Sequence, residues 1–407
     1  MHICIYEDSS YRNFLPMVHI RPVYELFWGM TSLRERIIEN SNKSSITLHV
    51  RSNLQKTLLE RYPKYLINTF SKDVKEVLFI NGRFIIDDSS QYEKLSKNKF
   101  LYNKDTIVAA KLTGKMLEET ITKINKGQTI DFSKYSSEAS KVDGILINYI
   151  WDLIQSNGDQ IKLKFSLIGK SENKINKTDI SIINRENILV DESASIMPHV
   201  VLDGKNGPII IDKKAIIEPH VYIKGPVYIG PSSVIRSGAR IYSGTSIFEG
   251  CKIGGEVNNS IIFSYTNKSH HGFLGSSYIG SWVNFGAGST NSNLKNNYGN
   301  VKVSIDNKLI NTGLQFMGII MGDHSKSGIN TTFNTGTNIG INCNLFGSAM
   351  HPKNIPSFSW GGKEDGYSSY NLEKAFEVID TVLLRRGKEM SKNEKELLQI
   401  IYHSSRK

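Results

Sequence analysis

Two adjacent imidazoles, His270 and His271, stand in a stretch that is otherwise small, polar and rich in asparagine: residues 267–303, NKSHHGFLGSSYIGSWVNFGAGSTNSNLKNNYGNVKV. A histidine can take and return a proton near neutral pH. Gly286-Ala287-Gly288 can bring backbone N–H groups close to a ligand, because two of its three residues lack a Cβ. Acyl transfer from a thioester to an amine needs both features. It needs a base for the ammonium proton and donors for the tetrahedral oxyanion, with a narrow slot for the thioester arm. Asn291, Asn293, Asn296 and Asn297 add polar groups to the following loop. The rival use of histidine is metal binding. His199, His220, His270, His271, His324 and His351 are available for zinc, but no pair has a spacing that clearly sets both rings on one face. Neighbouring residues on a strand point to opposite faces, which separates His270 from His271.

The elements that must position these residues are read from a repeat. Isoleucine occupies 211, 217, 223, 229, 235, 241, 247 and 253, a strict period of six. Two places before each stand Ile209, Ala215, Val221, Val227, Ser233, Ala239, Thr245 and Cys251, mostly small. The phase continues upstream at Val190, Ile196 and Leu202, and downstream at Met321, Ser327, Phe333, Ile339 and Leu345. Period six fits neither a helix face nor a simple alternating strand. It fits a triangular parallel β-helix, each hexapeptide one short side, with the isoleucines inside and rungs about 4.8 Å apart. Each buried isoleucine contributes roughly 1.5–3 kcal/mol, so the ladder can sustain the coil. The pattern lapses between Ile253 and Met321, and the polar insertion in that interval asks for a function.

The region before the repeat reads as an α/β domain with a mostly parallel sheet. Strand-like runs HICIYE, SSITLHV, EVLFING and DTIVAAKL alternate with helix-like MTSLRERIIEN and LQKTLLERYP. Three divisions are expected: residues 1–170, a β-helix at 188–355, and a helical tail at 371–407 that breaks near Arg386-Gly387. The Lys/Asn-rich segment 170–187 serves as linker. The 407 residues carry 22% charged and 39% hydrophobic side chains, an ordinary globular balance. No apolar run is long enough to span a membrane, and the N-terminus does not read as a signal peptide. Cys4, Cys251 and Cys343 are too scattered for a disulfide framework and suit a reducing cytoplasm. The net charge of +11 comes from dispersed lysines, which favours phosphorylated small molecules over nucleic acid as the partner.

These segments together resemble the GlmU-like family, in which a sugar nucleotidyltransferase-like domain is joined to a left-handed β-helix acetyltransferase. The resemblance covers nearly the full length. It rests on IYEDSSYRNFLPMVHIRPVYELFWGMTSLRERI, FINGRFII, YIWDLIQSNGDQI, NKSHHGFLGSSYIGSWVNFGAGSTNSNLKNNYG and the final helix, and is strongest to a shorter, divergent branch. It implies a homotrimer, acetyl-CoA as co-substrate, and Mg²⁺ if the nucleotidyltransferase domain is active. It implies His270 as general base, four residues before Leu274 in LGSSYIG. The family's V-N-x-G-A-G turn matches Val283-Asn284-Phe285-Gly286-Ala287-Gly288, placing Asn284 at the sugar and Ala287 at the thioester. Asn293 and Arg236 match residues that hold the sugar phosphate. A following lysine matches Lys295 or Lys302, and Ser325 and Lys326 match a stretch that contacts the CoA tail.

The N-terminal half departs from the family pattern. The usual Gly-rich phosphate loop is replaced by Tyr6-Glu7-Asp8-Ser9-Ser10, and the usual metal-binding Gly-Asp by Asn81-Gly82-Arg83. Asp8, Asp87 and Asp152 are the carboxylates left for a metal, and Arg12, Arg21 and Arg83 the guanidiniums left for a nucleotide. Three readings follow. One is a bifunctional enzyme that acetylates an amino sugar 1-phosphate, glucosamine 1-phosphate favoured, and transfers uridylyl from UTP to give a UDP-N-acetyl sugar. The second is an enzyme with one active domain and one scaffold. The third is a non-catalytic trimeric binding protein.

Overall fold

The computed structural model describes residues 2–39, 45–86, 88–169, 179–347 and 349–405. Asp87 and the first half of the expected linker, 170–178, lie outside them. The chain packs as two units: Met1–Leu26 with Thr31–Tyr149 and Ser391–Ile400, and Phe27–Met30 with Ile150–Met390 and Ile401–Lys407.

In the first unit the strands His2–Tyr6, Ser45–His49, Glu76–Asn81 and Thr106–Thr113 form where the apolar runs predict them. They belong to one seven-stranded sheet. His2–Tyr6 lies inside it, parallel to both Ser45–His49 and the central Glu76–Asn81, while Thr106–Thr113 runs antiparallel to Glu76–Asn81. Every residue of His2–Tyr6 is buried, as a strand covered on both faces must be. The expected helices form as Leu33–Glu39 and Gln55–Arg61.

The second unit is a parallel β-helix with three sheets, of the kind that left-handed hexapeptide coils make. The eight isoleucines divide among its faces. Ile211, Ile229 and Ile247 stack on one, Ile217, Ile235 and Ile253 on the next, Ile223 and Ile241 on the third. All are at most 1% exposed and join one core. The residue three places after an interior position takes positive φ at Lys214, His220, Ser232, Tyr265, Trp282 and His324. That conformation is disfavoured for residues with a Cβ. Here the corner rings stack instead, Tyr265 on Trp282 at 4.4 Å and Trp282 on His324 at 6.2 Å.

The expected break between Ile253 and Met321 is corrected. Glu256–Asn258, Ile261–Ile262, Asn267–Lys268, Phe273–Gly275, Tyr278–Ile279, Asn284–Phe285 and Thr290–Asn291 are regular rungs. The period vanished because these coils are shorter. Ile247 pairs with Ile262 after 15 positions and Ile262 with Ile279 after 17, where Ile211, Ile229 and Ile247 follow one another after 18. The excursion from the coil begins after Thr290–Asn291 and holds the antiparallel hairpin Lys302–Ile305 and Lys308–Asn311.

Helix Ile150–Ile168 belongs to the β-helix unit. Its Asn157 side chain donates to Gly244 O at 2.8 Å and Ser246 Oγ at 2.9 Å, and accepts from Gly29 N at 2.7 Å. Phe27 stacks on Phe248 with centroids 3.8 Å apart, and Tyr278 Oη donates to Phe27 O. These contacts seat residues 27–30 on the coil. The tail forms helices Leu372–Leu384, capped by Asn371, and Lys392–Ser404, with the break at Gly387 in the left-handed region.

Candidate active site on the coil

The site builds outward from the short rungs. His270 and His271 are exposed on the corner between Asn267–Lys268 and Phe273–Gly275. The next coil brings the 286–288 turn alongside. Gly288 N donates to His271 O at 3.2 Å, and a Cβ on Gly288 would stand 3.5 Å from His271 Nε2. Gly288 also has φ +75° and a close Asn330 amide, so a side chain there would be strained and blocked. The His271 imidazole and the small-residue turn named from sequence are therefore neighbours, and His270 sits on the same corner.

Asparagines line the outer surface beside them. Asn267, Asn284, Lys326 and Asn344 succeed one another in register on one face. Asn267 Nδ2 donates to Asn284 Oδ1 at 2.6 Å, and Ser269 Oγ donates to Asn267 Oδ1. Asn293 Nδ2 donates to Ser276 Oγ at 3.2 Å, close above Gly275. Lys326 Nζ donates to His324 O at 3.0 Å, and burial pushes its ammonium down to about 8. Ala287 O accepts from Asn330 N, which fixes the turn. Lys302 is exposed on the excursion hairpin. Lys295 Nζ donates to Asn300 O within the same loop.

Several expected residues are already engaged. Ser325 is wholly buried; its Oγ donates to Gly340 O at 2.7 Å and accepts from Cys343 N. It closes a coil corner, so its hydroxyl, expected at the CoA tail, is already engaged. Asn291 enters an interior position and accepts from Gly275 N while donating to Gly275 O. Arg236 Nη1 pairs with Glu218 Oε1 at 2.8 Å, so an incoming phosphate would compete with a carboxylate. Among the described residues, no group of three or more His, Cys, Asp or Glu is gathered so as to hold a metal ion. His199 and His220 stack face to face at 5.0 Å as corner residues.

In the first unit, Arg83 is 1% exposed, and its Nε and Nη2 take both Asp8 oxygens at 3.0 and 2.6 Å. Its Nη1 donates to Ile147 O and Asn148 Oδ1, and Asn81 Nδ2 also donates to Asp8. Arg83, expected at a nucleotide, and Asp8, expected at a metal, are thus engaged with each other. Gly82 is required because a Cβ would meet the Tyr24 ring at 2.8 Å. Arg21 is buried with Nη1 on Met17 O at 3.0 Å, and Arg12 is exposed beside the Tyr11 ring. Asp152 lies in the first turn of Ile150–Ile168, where a helix N-terminus favours negative charge. Sequence reasoning missed the neighbouring pair Glu7–Arg51, at 2.9 Å. Burial raises Glu7 to about 7, against the pull of Arg51.

Residues 3–173 match the family described as sugar nucleotidyl transferase. The chain is 28% identical over 315 residues to the bifunctional protein GlmU of Methanocaldococcus jannaschii, across 75% of this chain and 72% of that one. It is 32% identical over 197 residues to a bifunctional sugar-1-phosphate nucleotidylyltransferase/acetyltransferase of Sulfurisphaera tokodaii, across 46% of each. A solved structure of Arabidopsis UDP-N-acetylglucosamine acyltransferase overlaps 52% of this chain and 77% of its own, at 16% identity and a TM-score of 0.25. With residues 3–173 matching a sugar nucleotidyl transferase family ahead of the β-helix, the chain is similar to the bifunctional GlmU proteins.

Proposed function

We propose that this transferase acetylates the amine of an amino sugar 1-phosphate, glucosamine 1-phosphate first among them, with acetyl-CoA as donor. The uridylyl group of UTP is then transferred to give a UDP-N-acetyl sugar. The observation that carries the acetyl step is the approach of the His270-His271 corner to the 286–288 turn. His270 takes a proton from the substrate ammonium, and the freed nitrogen attacks the thioester carbonyl. Donors at the Ala287 turn stabilise the oxyanion. The adduct's nitrogen releases its second proton to solvent as the adduct expels the CoA thiolate, which accepts the proton from His270. Asn284 and Asn293 orient the sugar, Lys326 faces the acyl donor, and Arg236 with Lys302 meets the phosphate. The test is acetyl-CoA turnover by His270→Ala against the parent chain; unchanged turnover removes His270 from the mechanism.

One observation favours a second reading, in which the N-terminal domain is a platform and only acetyl transfer remains. The family's reaction calls for Mg²⁺, and the residues do not fit it, because both oxygens of Asp8 are held by Arg83. Pyrophosphate release from UTP and N-acetylglucosamine 1-phosphate decides between the two. Assembly as a homotrimer is supported by large apolar side chains exposed on the β-helix unit, Tyr298, Phe316, Ile329 and Met350. No helix among the described residues is long and apolar enough to cross a membrane, which agrees with the proposed cytoplasmic setting.

A further inference from the structure

One interior column of the β-helix runs Ile217, Ile235, Ile253, then Lys268, then Phe285. A lysine takes a place that the fold otherwise fills with hydrocarbon, and it is 2% exposed. Its Nζ donates to Gly254 O at 3.1 Å, His270 O at 3.1 Å and Gly272 O at 2.8 Å. An ammonium has three N–H donors and no acceptor, so these bonds use all of them. None of the three partners is charged. An apolar side chain would suit the column at least as well, since replacing a buried charge with hydrocarbon is often neutral or stabilising. Such a local violation is expected where function constrains the sequence. Two of the acceptors belong to the corner that carries the imidazoles. The third, Gly254, lies on the preceding coil, where a Cβ would collide with Ser269 O. The ammonium thus ties both ends of the 270–272 turn to the rung below.

We propose that Lys268 is a positioning residue for acetyl transfer, clamping the 270–272 turn from inside the prism so that the His270 imidazole is held beside the 286–288 turn. The inference rests on the reading of His270 as base. Lys268 touches no substrate; it acts through the backbone of the turn. Gly272, with φ +122°, and the paired glycines 254 and 255 leave the corner little stiffness of its own.

The test uses the full chain and Lys268→Met, which keeps the length and fills the column with an unbranched apolar side chain. Amide hydrogen exchange of residues 269–273 is expected to quicken at least tenfold, with the rung at Ile235 unchanged and the melting temperature equal or higher. In acetylation of glucosamine 1-phosphate, kcat is expected to fall at least tenfold with KM for acetyl-CoA within twofold. His270→Ala combined with Lys268→Met should be no slower than His270→Ala alone, because both act through one group. Unchanged exchange at 269–273 overturns the clamp whatever the activity. Faster exchange with unchanged kcat overturns the positioning role. Faster exchange throughout the coil, with a lower melting temperature, makes Lys268 merely structural and also overturns it. Unchanged turnover by His270→Ala overturns instead the reading of the base. It is told apart from the others because the exchange measurement does not involve the imidazole.

Discussion

The coils before Ile253 and those from Glu256 to Asn291 are built on the same three faces with opposite priorities. The coils from Ile209 to Ile253 repeat every 18 positions and fill their interior mostly with aliphatic side chains. The later ones shorten to 15 and 17 and admit Lys268 and Asn291 to interior positions. Regular coils maximise apolar burial, with only small polar side chains such as Ser233 bonded at their corners. Irregular coils give up some of that burial, and their buried polar groups hold corners and turns in place. The imidazoles and the glycine turn sit on the irregular coils, where backbone carbonyls are tied down by side-chain donors from within.

That contrast can be broken by mutation. His270→Ala should lower acetyl transfer by about 10²- to 10⁴-fold while leaving the urea midpoint unmoved; steady-state kinetics beside a denaturant melt measures both. Ile235→Ala should do the reverse, costing about 2–5 kcal/mol of stability in the same melt, with the surviving folded fraction retaining its kcat. If Ile235→Ala proves nearly silent, the aliphatic coils are not what sustains the prism.

pH sharpens the comparison. Burial holds the Lys268 ammonium down to about 8, below its ordinary 10.5. Between those values the folded chain binds fewer protons than the unfolded one, so stability rises with pH across about 8 to 10.5 and shows no contribution from this group below about 8. The gain is at most about 3 kcal/mol. Lys326 contributes in the same direction, so the quantity to measure is the difference between the parent chain and Lys268→Met, which should lose its share. Smaller again, Asn291→Ala should cost about 1–3 kcal/mol by stranding Gly275 N, read from exchange at that strand.

Much of the fold was legible in the chain. The period of six, the four N-terminal strands, their two helices and the break at Gly387 all follow from local preference and apolar spacing, which survive any change of distant context. The site was legible in part. His270, Asn284 and Ala287 stand out by type and motif, and their corner does meet the glycine turn. Ser325 and Arg83 carry attractive functional groups, yet one closes a coil corner and the other is locked to Asp8 across 75 positions. Spacing says nothing about which donor finds which acceptor at that range.

What the residues determined alone is the kind of solid they wind into, because eight isoleucines at one interval can be buried together in few ways. What only tertiary structure decided is which rung a residue occupies once the interval drifts. Coils of 15 and 17 positions keep the hydrogen-bond ladder while moving the side-chain phase, so Lys268 reaches the interior without any periodic mark in the sequence. Register is a property of the neighbouring coil, and the neighbour exists only after folding.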